Sequence, residues 1–475
     1  MGMVGERVVV IGGSIGGLAA AATLSRRFDL VTVLDRDELP ETPRERRGIP
    51  HGMHPHALLI GGRLGLEELF PGLTEELIQG GAVPFDPGAD ALFVQMGAPR
   101  IRFATGMLGI SLSRAYLESA IRERVRALPN VELRGGVAVS GLTGVPGRVT
   151  GVETDGGEPI AADLVVDATG RGGQSNRWLK TLASPTPEIA TVKVDVGYTT
   201  QLLRRGRGDL PDGGVLTLIA GTPPHQKRAG VAFPIEGDRW VVTIGGWHGD
   251  HAPLDPQGYA DFAAGLPAPF IADLIAKCEP VSERRARKFP AARRRYFERL
   301  RCPLAGYVAL GDTICSFNPV YSQGMTVATL EALALGRCLD RFGRVSENMT
   351  RAYYRAAGKI VDTPWKMATG GDFMYPETTG PKPAGTDQLN WYLRQVMLAS
   401  HVSPRVHRTA INVQHLLAPP SALLRPAALA RSLWMARRSP AGKNAGPIRS
   451  GAGSDHRQSI PTNASAASVV RGPHS

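Results

Sequence analysis

Cysteine is scarce in this sequence, and long apolar runs are missing from it. The four cysteines show no paired spacing of the kind that zinc sites use. The scarcity argues against a disulfide framework and indicates reduced thiols, so a cytoplasmic location is expected. No apolar run reaches the roughly 18 residues that a spanning helix needs, and no signal segment precedes the first strand-like run. The sequence therefore predicts no transmembrane segment.

Acidic residues are fewer than basic ones, with 43 Asp and Glu against 55 Lys and Arg and a net charge of +12. A balance of this kind raises the hypothesis of nucleic-acid or membrane binding. Much of the arginine lies in residues 284–301 and after residue 405. We interpret the first of these segments mainly as a solvated edge or strand pair, with a surface for an anionic substrate or acidic partner as the alternative. No nucleic-acid partner is expected.

The stretch from residue 8 to residue 35 combines a strand, a glycine-rich turn, a helix and a second strand that ends at an acid. Val8–Ile11 and Leu30–Leu34 are apolar runs typical of buried parallel strands, and Asp35 follows the second. The pattern G-x-G-x-x-G falls on Gly12, Ser14 and Gly17, with serine as its middle member. In this fingerprint the turn and helix N-terminus receive a pyrophosphate, and the acid binds ribose hydroxyls. The stretch predicts a dinucleotide-binding unit, and an ordinary glycine-rich turn is the alternative.

Two later segments have the features of further ligand-binding strand ends. Leu164–Val166 is a buried strand followed by the tight turn 167–170, and the carboxyl ends of parallel strands are where such folds bind ligands. Tyr307–Leu310 is a second buried strand. It is followed by the turn Gly311-Asp312 and then by a helix predicted to start at Gly324. The acid, together with a glycine at a helix N-terminus, predicts that the carboxyl end of this strand is a second place where an anion or a dipole binds.

Three histidines follow the second strand, at positions 51, 54 and 56, just before a helix predicted over about 56–69. Their spacing could suggest a metal cluster. Prolines break any regular face there and no carboxylate or thiol completes a shell, so no metal site is expected. The alternative is that the loop that carries His51, His54 and His56 and the start of the helix line the dinucleotide pocket, with Arg46 reaching a charged part of the cofactor.

The middle and the end of the chain have sequence patterns that differ from the strand and helix alternation of the N-terminal part. Val231–Ile235 and Arg239–Ile244 predict a hairpin of an antiparallel sheet, and residues 256–278 are rich in helix signals. Residues 343–438 are predicted to be mostly helical. Within them the basic, amphipathic segment 416–438 is expected to pack on the protein, with weak membrane-surface contact as the alternative. From residue 439 onward the composition predicts disorder.

Five segments together resemble the FAD-dependent monooxygenases of the p-hydroxybenzoate hydroxylase fold. They are GGSIGGL with Asp35, the stretch from Arg46 through His56, LSRAYLE with Arg114, DLVVDATGRGGQS, and GDTICSFNPVYSQGM. Within that fold the sequence is most similar to the squalene-epoxidase-like bacterial enzymes that epoxidise polyene chains on the way to polyether antibiotics. The resemblance covers about residues 5–435.

The resemblance implies an α/β fold in which an FAD-binding Rossmann-like domain of the glutathione-reductase type carries an inserted, mostly antiparallel β-sheet substrate domain and a helical C-terminal region. The expected division is 5–174 for the first part of the FAD-binding domain, 175–300 for the substrate domain, 301–342 for the return segment, 343–438 for the helical region and 439–475 for a disordered tail.

The resemblance also assigns roles to residues of this chain. Gly12, Ser14 and Gly17 would face the FAD pyrophosphate and Asp35 the adenosine ribose, and Gly13 and Arg36 belong to the same cofactor-binding set. Arg46 and Arg114 would reach the pyrophosphate or ribityl side, the backbone at Val139 the adenine, and Asp312 the ribityl chain. The loop from Pro319 through Gly324 to Met325 would lie against the isoalloxazine, its helix end facing the charge that reduction creates.

Three features set this chain apart from related patterns. Thr169-Gly170 stands where many members have Asp-Gly, which weakens any inference about direct nicotinamide handling. Ser322 stands where a glycine is common, which would reshape the loop over the flavin. The motif Trp-x-Trp-x-Ile-Pro of flavin halogenases is absent from the sequence, so halogenation is not expected.

The implied activity is insertion of one oxygen atom from O2, through a flavin C4a-hydroperoxide, into a small apolar polyene, polyketide or aromatic intermediate. NAD(P)H, or reduced flavin from a partner reductase, would supply electrons. The flavin carries this chemistry, so no catalytic acid, base or nucleophile is assigned. The alternatives are an FAD-dependent prenyl-chain reductase or oxidase and, more remotely, a non-enzymatic basic protein that binds membranes or nucleic acid.

Overall fold

The structure is a computed structural model that describes residues 2–49 and 51–442. Disorder was predicted for residues 439–475, and residues 443–475 lie outside the described residues. The described part of this segment is ordered. Ser439 is buried, and Pro440–Gly442 form a short 3-10 helix.

The chain alternates strands and helices in its first third and ends in helices. The strands are β1 (Gly5–Ile11), β2 (Phe28–Leu34), β3 (Val83–Phe85), β4 (Ala91–Gln95), β5 (Ala98–Pro99), β6 (Gly109–Ser111), β7 (Val131–Arg134), β8 (Val139–Val145), β9 (Arg148–Thr154), β10 (Ile160–Ala161), β11 (Leu164–Asp167), β12 (Ile189–Arg204), β13 (Leu216–Ala220), β14 (Arg228–Ile235), β15 (Arg239–Trp247), β16 (Arg285–Arg295), β17 (Tyr307–Ala309) and β18 (Cys315–Ser316). The helices are α1 (Ile15–Leu24), α2 (Ile60–Leu69), α3 (Leu73–Gln79), α4 (Arg114–Arg126), α5 (Ser175–Thr181), α6 (Pro256–Ala264), α7 (Phe270–Lys277), α8 (Gly324–Phe342), α9 (Glu347–Asp372), α10 (Thr386–Ala399), α11 (Pro404–Gln414), α12 (Ser421–Leu424) and α13 (Pro426–Ala436).

A five-stranded parallel sheet holds the N-terminal unit, in the order β17-β11-β1-β2-β7. The C-terminal half of β1 is wholly apolar and buried, as a strand covered on both faces requires. Helix α1 follows β1 and packs against α8, and small residues such as Ala19 and Ala20 let the two approach closely. The predicted βαβ unit is confirmed, and the carboxyl ends of β1, β2, β11 and β17 meet at one edge of the sheet.

A second, eight-stranded sheet has the order β18-β16-β12-β15-β14-β13-β4-β5 and is antiparallel except where β13 pairs with β4. The predicted hairpin is confirmed as β14 and β15, whose register runs to Ile235 opposite Arg239. Helices α6 and α7 cover part of the sheet with apolar side chains. The sheet is not confined to the predicted segment 175–300, because β4 and β5 come from residues 91–99. The division of the chain into domains stays a prediction.

The basic segment 284–301 forms strand β16, which lies between β12 and the two-residue β18. Its residues differ in environment. Arg294 is buried and pairs with Glu298 and Asp362, whereas Arg285 is exposed and pairs with Glu45. The interpretation as a solvated strand pair therefore holds for the first half of β16 and is wrong for the second half, where Arg294 and Arg295 are buried.

One predicted helix is shorter than expected. The helix placed over 56–69 begins at Ile60, because residues 55–59 are non-helical and run along a cavity wall. At the other end of the chain, α10 and α13 pack together through Tyr392, Val396 and Ala436, as the packing interpretation predicted. Across residues 2–49 and 51–442, the structure contains no helix both long and apolar enough to cross a membrane.

These layers confirm the predicted fold class. A parallel sheet with helices carries an inserted, mostly antiparallel sheet, and a helical region follows. The edge of the parallel sheet faces the eight-stranded sheet across a single cavity.

Candidate cofactor and substrate site

One cavity of about 1090 Å³ runs from the edge of the parallel sheet to the space under the eight-stranded sheet. Single small-molecule sites measure about 300–1,000 Å³, so this cavity is as large as the largest of them. The predicted cofactor residues that line it are Gly12, Ser14, Asp35, Arg36, Arg46, Arg114, Val139, Asp312, Pro319, Gly324 and Met325. Gly13 and Gly17 do not line it, and they shape the turn from behind.

The turn after β1 requires glycine at two positions. Gly12 has φ +108°, and a Cβ there would lie 2.5 Å from the carbonyl oxygen of Ala168. At Gly17 a Cβ would lie 1.7 Å from the carbonyl oxygen of Gly12. The close approach of backbone to backbone leaves the N-terminus of α1, whose first N–H groups have no helical partner, at the cavity wall.

Asp35 closes the same turn from the end of β2. Its Oδ2 accepts a hydrogen bond from the Gly13 backbone N–H at 2.7 Å and another from Arg46 Nη1 at 3.0 Å. The Arg46 guanidinium also donates to the Gly13 carbonyl oxygen at 3.2 Å. Asp35 therefore fixes the conformation of the turn while its side chain stays at the cavity surface.

Ser14 connects the turn to helix α4. Its Oγ donates to Glu118 Oε2 at 2.9 Å and accepts from Arg114 Nη2 at 2.7 Å. The serine that replaces the middle glycine of the fingerprint thus has two charged partners inside the protein, and it is also the residue that precedes α1.

Glu118 is a site residue that sequence reasoning missed. This buried carboxylate accepts from Arg46 Nε at 2.8 Å and from Arg122 Nη2 at 2.6 Å, and Arg114 Nη2 lies 3.5 Å away. Its negative charge raises the pKa of Arg46 against the lowering effect of burial. The spacing of Arg114, Glu118 and Arg122 at i, i+4 and i+8 on one helix was the available signal.

Asp312 faces the cavity from the short 3-10 helix after β17. Loss of solvent raises the pKa of its carboxyl group to about 6, against the opposing effect of the nearby Arg114, Arg171 and Arg293. The backbone comes close to this acid at Gly324, where a Cβ would lie 3.4 Å from Asp312 Oδ1. An acid and the N-terminus of the 19-residue helix α8 therefore share one wall.

The loop before α8 is held from behind by a buried carboxyl group. Asp372 Oδ1 accepts from Asn318 Nδ2 at 2.8 Å, from Tyr321 Oη at 3.3 Å and from Trp247 Nε1 at 3.5 Å. Its Oδ2 has no hydrogen-bond partner among the described residues. Burial raises the pKa of Asp372 to about 7. Ser322 in this loop has φ +55°, the region in which glycine is common.

All three predicted histidines line the cavity. His54 Nδ1 lies 2.6 Å from Thr200 Oγ1, and His56 Nδ1 donates to the His54 carbonyl oxygen at 2.6 Å. Burial lowers the pKa of His51 and of His54 to about 4, so both rings are neutral at pH 7. No group of three or more metal-ligating side chains able to hold an ion occurs in the part of the chain that the structure describes.

The far half of the cavity is walled mainly by apolar side chains from the eight-stranded sheet and its neighbours. They are Phe85, Phe93, Ile110, Leu216, Leu218, Val231, Phe233 and Ile411. Arg100, His407 and His415 are polar residues at this end. Such walls suit an apolar ligand placed beyond the loop before α8.

The residues present fit FAD on three grounds. The turn at Gly12 packs backbone against backbone and brings the α1 N-terminus to the cavity wall, where a pyrophosphate would bind, and Asp35 follows the second strand of the same unit. Asp312 and the α8 N-terminus offer a second acid and a second helix end. A dinucleotide with a redox-active ring can reach both the turn beside Asp35 and the wall formed by Asp312 and the α8 N-terminus, whereas a mononucleotide would reach only one of them.

Comparison with known proteins agrees with this fit. No protein-family model matches the chain. Protein Rv3254 of Mycobacterium tuberculosis is 32% identical over 436 residues, which cover 83% of this chain and 90% of that protein. Squalene monooxygenase 1,1 of Brassica napus is 23% identical over 343 residues, covering 72% of this chain and 64% of that protein.

Solved structures show the same architecture. The flavin-dependent brominase Bmp2 aligns with a TM-score of 0.64 at 13% identity, covering 91% of this chain and 99% of that one. PqsL, a probable FAD-dependent monooxygenase from Pseudomonas aeruginosa, aligns with a TM-score of 0.59 at 18% identity, covering 78% and 97%. At these identities the likeness concerns the fold, and bromination by Bmp2 does not transfer to this chain. The chain belongs to the same family as Protein Rv3254, and its fold is that of the FAD-dependent monooxygenases of the p-hydroxybenzoate hydroxylase type.

Proposed function

We propose that the protein is an FAD-dependent monooxygenase that transfers one oxygen atom of O2 to a small apolar substrate, by epoxidation of an alkene or hydroxylation of an aromatic ring. One observation carries this proposal. A single cavity is lined both by the turn at Gly12 and by the apolar side chains of the eight-stranded sheet, and residues of the loop 319–325 line the same cavity. A redox cofactor and an apolar substrate could therefore meet inside one enclosure.

The proposed cofactor contacts follow the walls of the cavity. Gly12, Ser14 and the α1 N-terminus would receive the pyrophosphate, and Asp35 the adenosine ribose, with Arg36 beside it. Val139 would meet the adenine and Asp312 the ribityl chain. Gly13 and Gly17 would act by shaping the turn, and Arg46 and Arg114 by holding it through Glu118.

The chain itself would bind, orient and exclude water. When bound, FAD supplies the reaction of a reduced flavin with O2. The α8 N-terminus at Gly324 would stabilise negative charge on the adjacent ring edge. The apolar walls would keep water from the reacting atoms. His51 and His54, neutral at pH 7, could accept or donate hydrogen bonds without adding charge, and no catalytic acid or base is assigned.

The electron source is proposed to be NAD(P)H or reduced flavin from a partner reductase. Arg287 and Lys288 line the cavity from the exposed half of β16, and neither forms a salt bridge with another described residue. Unpaired cations at a cavity rim attract anionic ligands such as nucleotide phosphates. A cytoplasmic location stays a prediction.

The test is oxygen transfer from labelled O2. The FAD-loaded protein would be supplied with NADH, with NADPH, or with a flavin reductase, and with a panel of polyenes and phenols under ¹⁸O2. We expect one ¹⁸O atom per product molecule in at least one case. Unlabelled reduced product would instead support the prenyl-chain reductase. Oxygen consumption that yields only hydrogen peroxide and dehydrogenated product would support the oxidase.

A weaker proposal concerns membrane contact by the C-terminal helices. Trp391 on α10 and Trp434 on α13 are 59% and 51% exposed, and Leu424 is 50% exposed. Arg394 follows Trp391 in α10, and Arg431 and Arg437 lie on either side of Trp434, a composition suited to an anionic lipid surface. Co-sedimentation with phosphatidylglycerol vesicles should fall for Trp434→Ser and be unchanged for Trp240→Phe, whose side chain is buried. Equal sedimentation of wild type and Trp434→Ser would contradict the contact.

A further inference from the structure

The apolar half of the cavity contains a buried arginine that has no acid beside it. Arg100 follows β5 and is 8% exposed. Its guanidinium lies 3.9 Å from the centroid of the Phe93 ring, and Nη2 donates to Gln95 Oε1 at 2.5 Å. Nε makes no hydrogen bond, and no carboxylate in residues 2–49 and 51–442 lies within ion-pair distance. Within the described residues, the guanidinium therefore has one hydrogen-bond acceptor, the Gln95 side-chain oxygen, and one cation–π partner, the Phe93 ring.

Other buried arginines of this protein contrast with Arg100. Arg46 and Arg122 share the carboxylate of Glu118, and Arg294 binds both Glu298 and Asp362. A buried charge without a partner is strongly unfavourable, and proteins normally pair it or hydrogen-bond it fully. Arg295 is also buried without an ion pair among the described residues, but it donates to the Thr313 carbonyl oxygen at 2.6 Å and does not line the cavity. Arg100 is the buried arginine without an acid partner that lies in the apolar half of the cavity.

The neighbours of Arg100 do not neutralise it. His407 donates from Nδ1 to the Ile101 carbonyl oxygen at 2.9 Å, and burial together with the Arg100 charge lowers the pKa of His407 to about 3. His401 contacts the Gln95 carbonyl oxygen and Ser439. Both rings are therefore neutral near pH 7, and the end of the cavity holds one positive charge.

The walls around this charge define the shape of a ligand. Phe93, Leu216 and Phe233 line the chamber from the eight-stranded sheet, Ile110 lines it from β6, and Ile411 lines it from α11. An apolar chamber with one cation complements a molecule that is apolar along its body and carries one negative charge. A planar guanidinium pairs well with a carboxylate, and a single positive charge matches a monoanion better than a phosphate dianion.

We propose that Arg100 binds a carboxylate group of the substrate, so that the substrate is an apolar carboxylic acid with an unsaturated or aromatic body. That the bound acid is a substrate rests on the function proposed above. The binding of an apolar carboxylate by Arg100 does not depend on that function. The carboxylate is held away from the loop 319–325, and the apolar body extends between them.

The experiment measures binding rather than turnover. Isothermal titration calorimetry of the FAD-loaded protein would use benzoate, cinnamate, geranate and oleate, each beside its methyl ester. We expect at least one acid to bind about tenfold or more tightly than its ester, as a charge-assisted hydrogen bond implies. Arg100→Gln should remove this preference, and Arg100→Lys should retain part of it.

The matched control is Arg344→Gln, which removes the same charge from an exposed position and should keep the acid preference. If no acid binds better than its ester, or if Arg100→Gln keeps the preference, the proposal is wrong. Should Arg100→Gln fail to fold, the wild-type comparison of acid and ester and the Arg100→Lys variant still decide it. Acid binding that depends on Arg100 without ¹⁸O transfer would refute the proposed function and leave this inference standing.

Discussion

Ser14 is the residue at which this chain departs from the dinucleotide fingerprint, and its surroundings give a physical reason. The hydroxyl donates to Glu118 and accepts from Arg114, so it connects the turn after β1 to helix α4. A glycine at this position would remove this connection and leave only the indirect one, in which Arg46 contacts both the Gly13 carbonyl oxygen and Glu118. The serine hydroxyl therefore contributes to the stability of the turn, and we expect the backbone N–H groups to make most of the contact with the pyrophosphate.

Replacing Ser14 by glycine tests this reading of the turn. We expect Ser14→Gly to keep FAD bound and to lower the free energy of unfolding by about 1–3 kcal/mol, because hydrogen bonds to two charged partners are lost. Flavin absorbance per protein and urea denaturation are the measurements. Ser14→Ala, which removes the hydroxyl but keeps Cβ, should lose similar stability. Loss of most of the flavin in both variants would show that the hydroxyl is itself a phosphate ligand.

Asp372 gives a second prediction at the residue scale, on pH. Burial raises its pKa from an ordinary 3.8 to about 7. The folded protein therefore keeps a proton that the unfolded chain gives up, and stability falls as pH rises from about 4 to about 7. A shift of this size corresponds to about 4 kcal/mol at most.

The variant Asp372→Asn keeps an oxygen that can accept from Asn318 and Tyr321 but does not titrate. We expect it to lose less stability than wild type between pH 5 and pH 8, as measured by urea denaturation of the FAD-loaded protein. Asp273→Asn, an exposed change, is the control and should follow wild type. The same pH slope in Asp372→Asn and wild type would be the contrary result.

At the scale of elements, helix α4 places a face of charged side chains, with Glu118 at its centre, next to the turn after β1. Glu118→Ala would leave Arg46, Arg114 and Arg122 without their shared carboxylate. Removing one member of a buried ion network costs about 3–5 kcal/mol, so a large fall in the urea midpoint is expected. Glu118→Gln should be less severe because it keeps the shape and one acceptor.

The control for α4 is Glu123→Ala, on the exposed side of the same helix. It removes the same charge without touching the three arginines and should change stability by less than about 0.5 kcal/mol. If Glu118→Ala and Glu123→Ala were equally stable, the network would not be what holds the turn.

The elements that sequence predicted best are those set by local pattern. Strands β1 and β2 and helix α1 follow from apolar periodicity and glycine spacing within 30 residues or so, a range in which chain neighbours decide the outcome. The pairing of Ser14 with Glu118 spans 104 residues in sequence, and no local pattern marks it. The helix signals of α4 were visible, but which of its faces meets the turn depends on tertiary packing.

Two further differences have the same origin. Residues 56–59 were expected to belong to the helix predicted over about 56–69, but they run along the cavity, and α2 begins at Ile60. Strand β4 joins the eight-stranded sheet by a parallel pairing with β13, which lies over 100 residues later. Non-local pairing of short strands is decided by the whole fold, so sequence pattern alone does not reveal it.

For the whole molecule, the cavity separates two sheets that have apolar cores of their own. The parallel sheet belongs to one large cluster of buried side chains, and the far part of the eight-stranded sheet belongs to another. A ligand that contacts both sides of the cavity adds contacts between these parts. It should therefore stabilise the folded protein by mass action as well as enable catalysis.

Removal of FAD should lower the melting temperature, and added FAD should restore it. At a concentration of 100 times Kd, a ligand that binds only the folded state adds about 2.7 kcal/mol. FMN, which has the flavin ring and one phosphate but no adenosine, should stabilise less, because it lacks the half that we propose to contact Asp35 and Val139. Differential scanning fluorimetry of the flavin-free protein with FAD, FMN or neither makes the comparison. Equal stabilisation by FMN and FAD would mean that the turn at Gly12, the most recognisable feature of the sequence, does not hold the adenylate half.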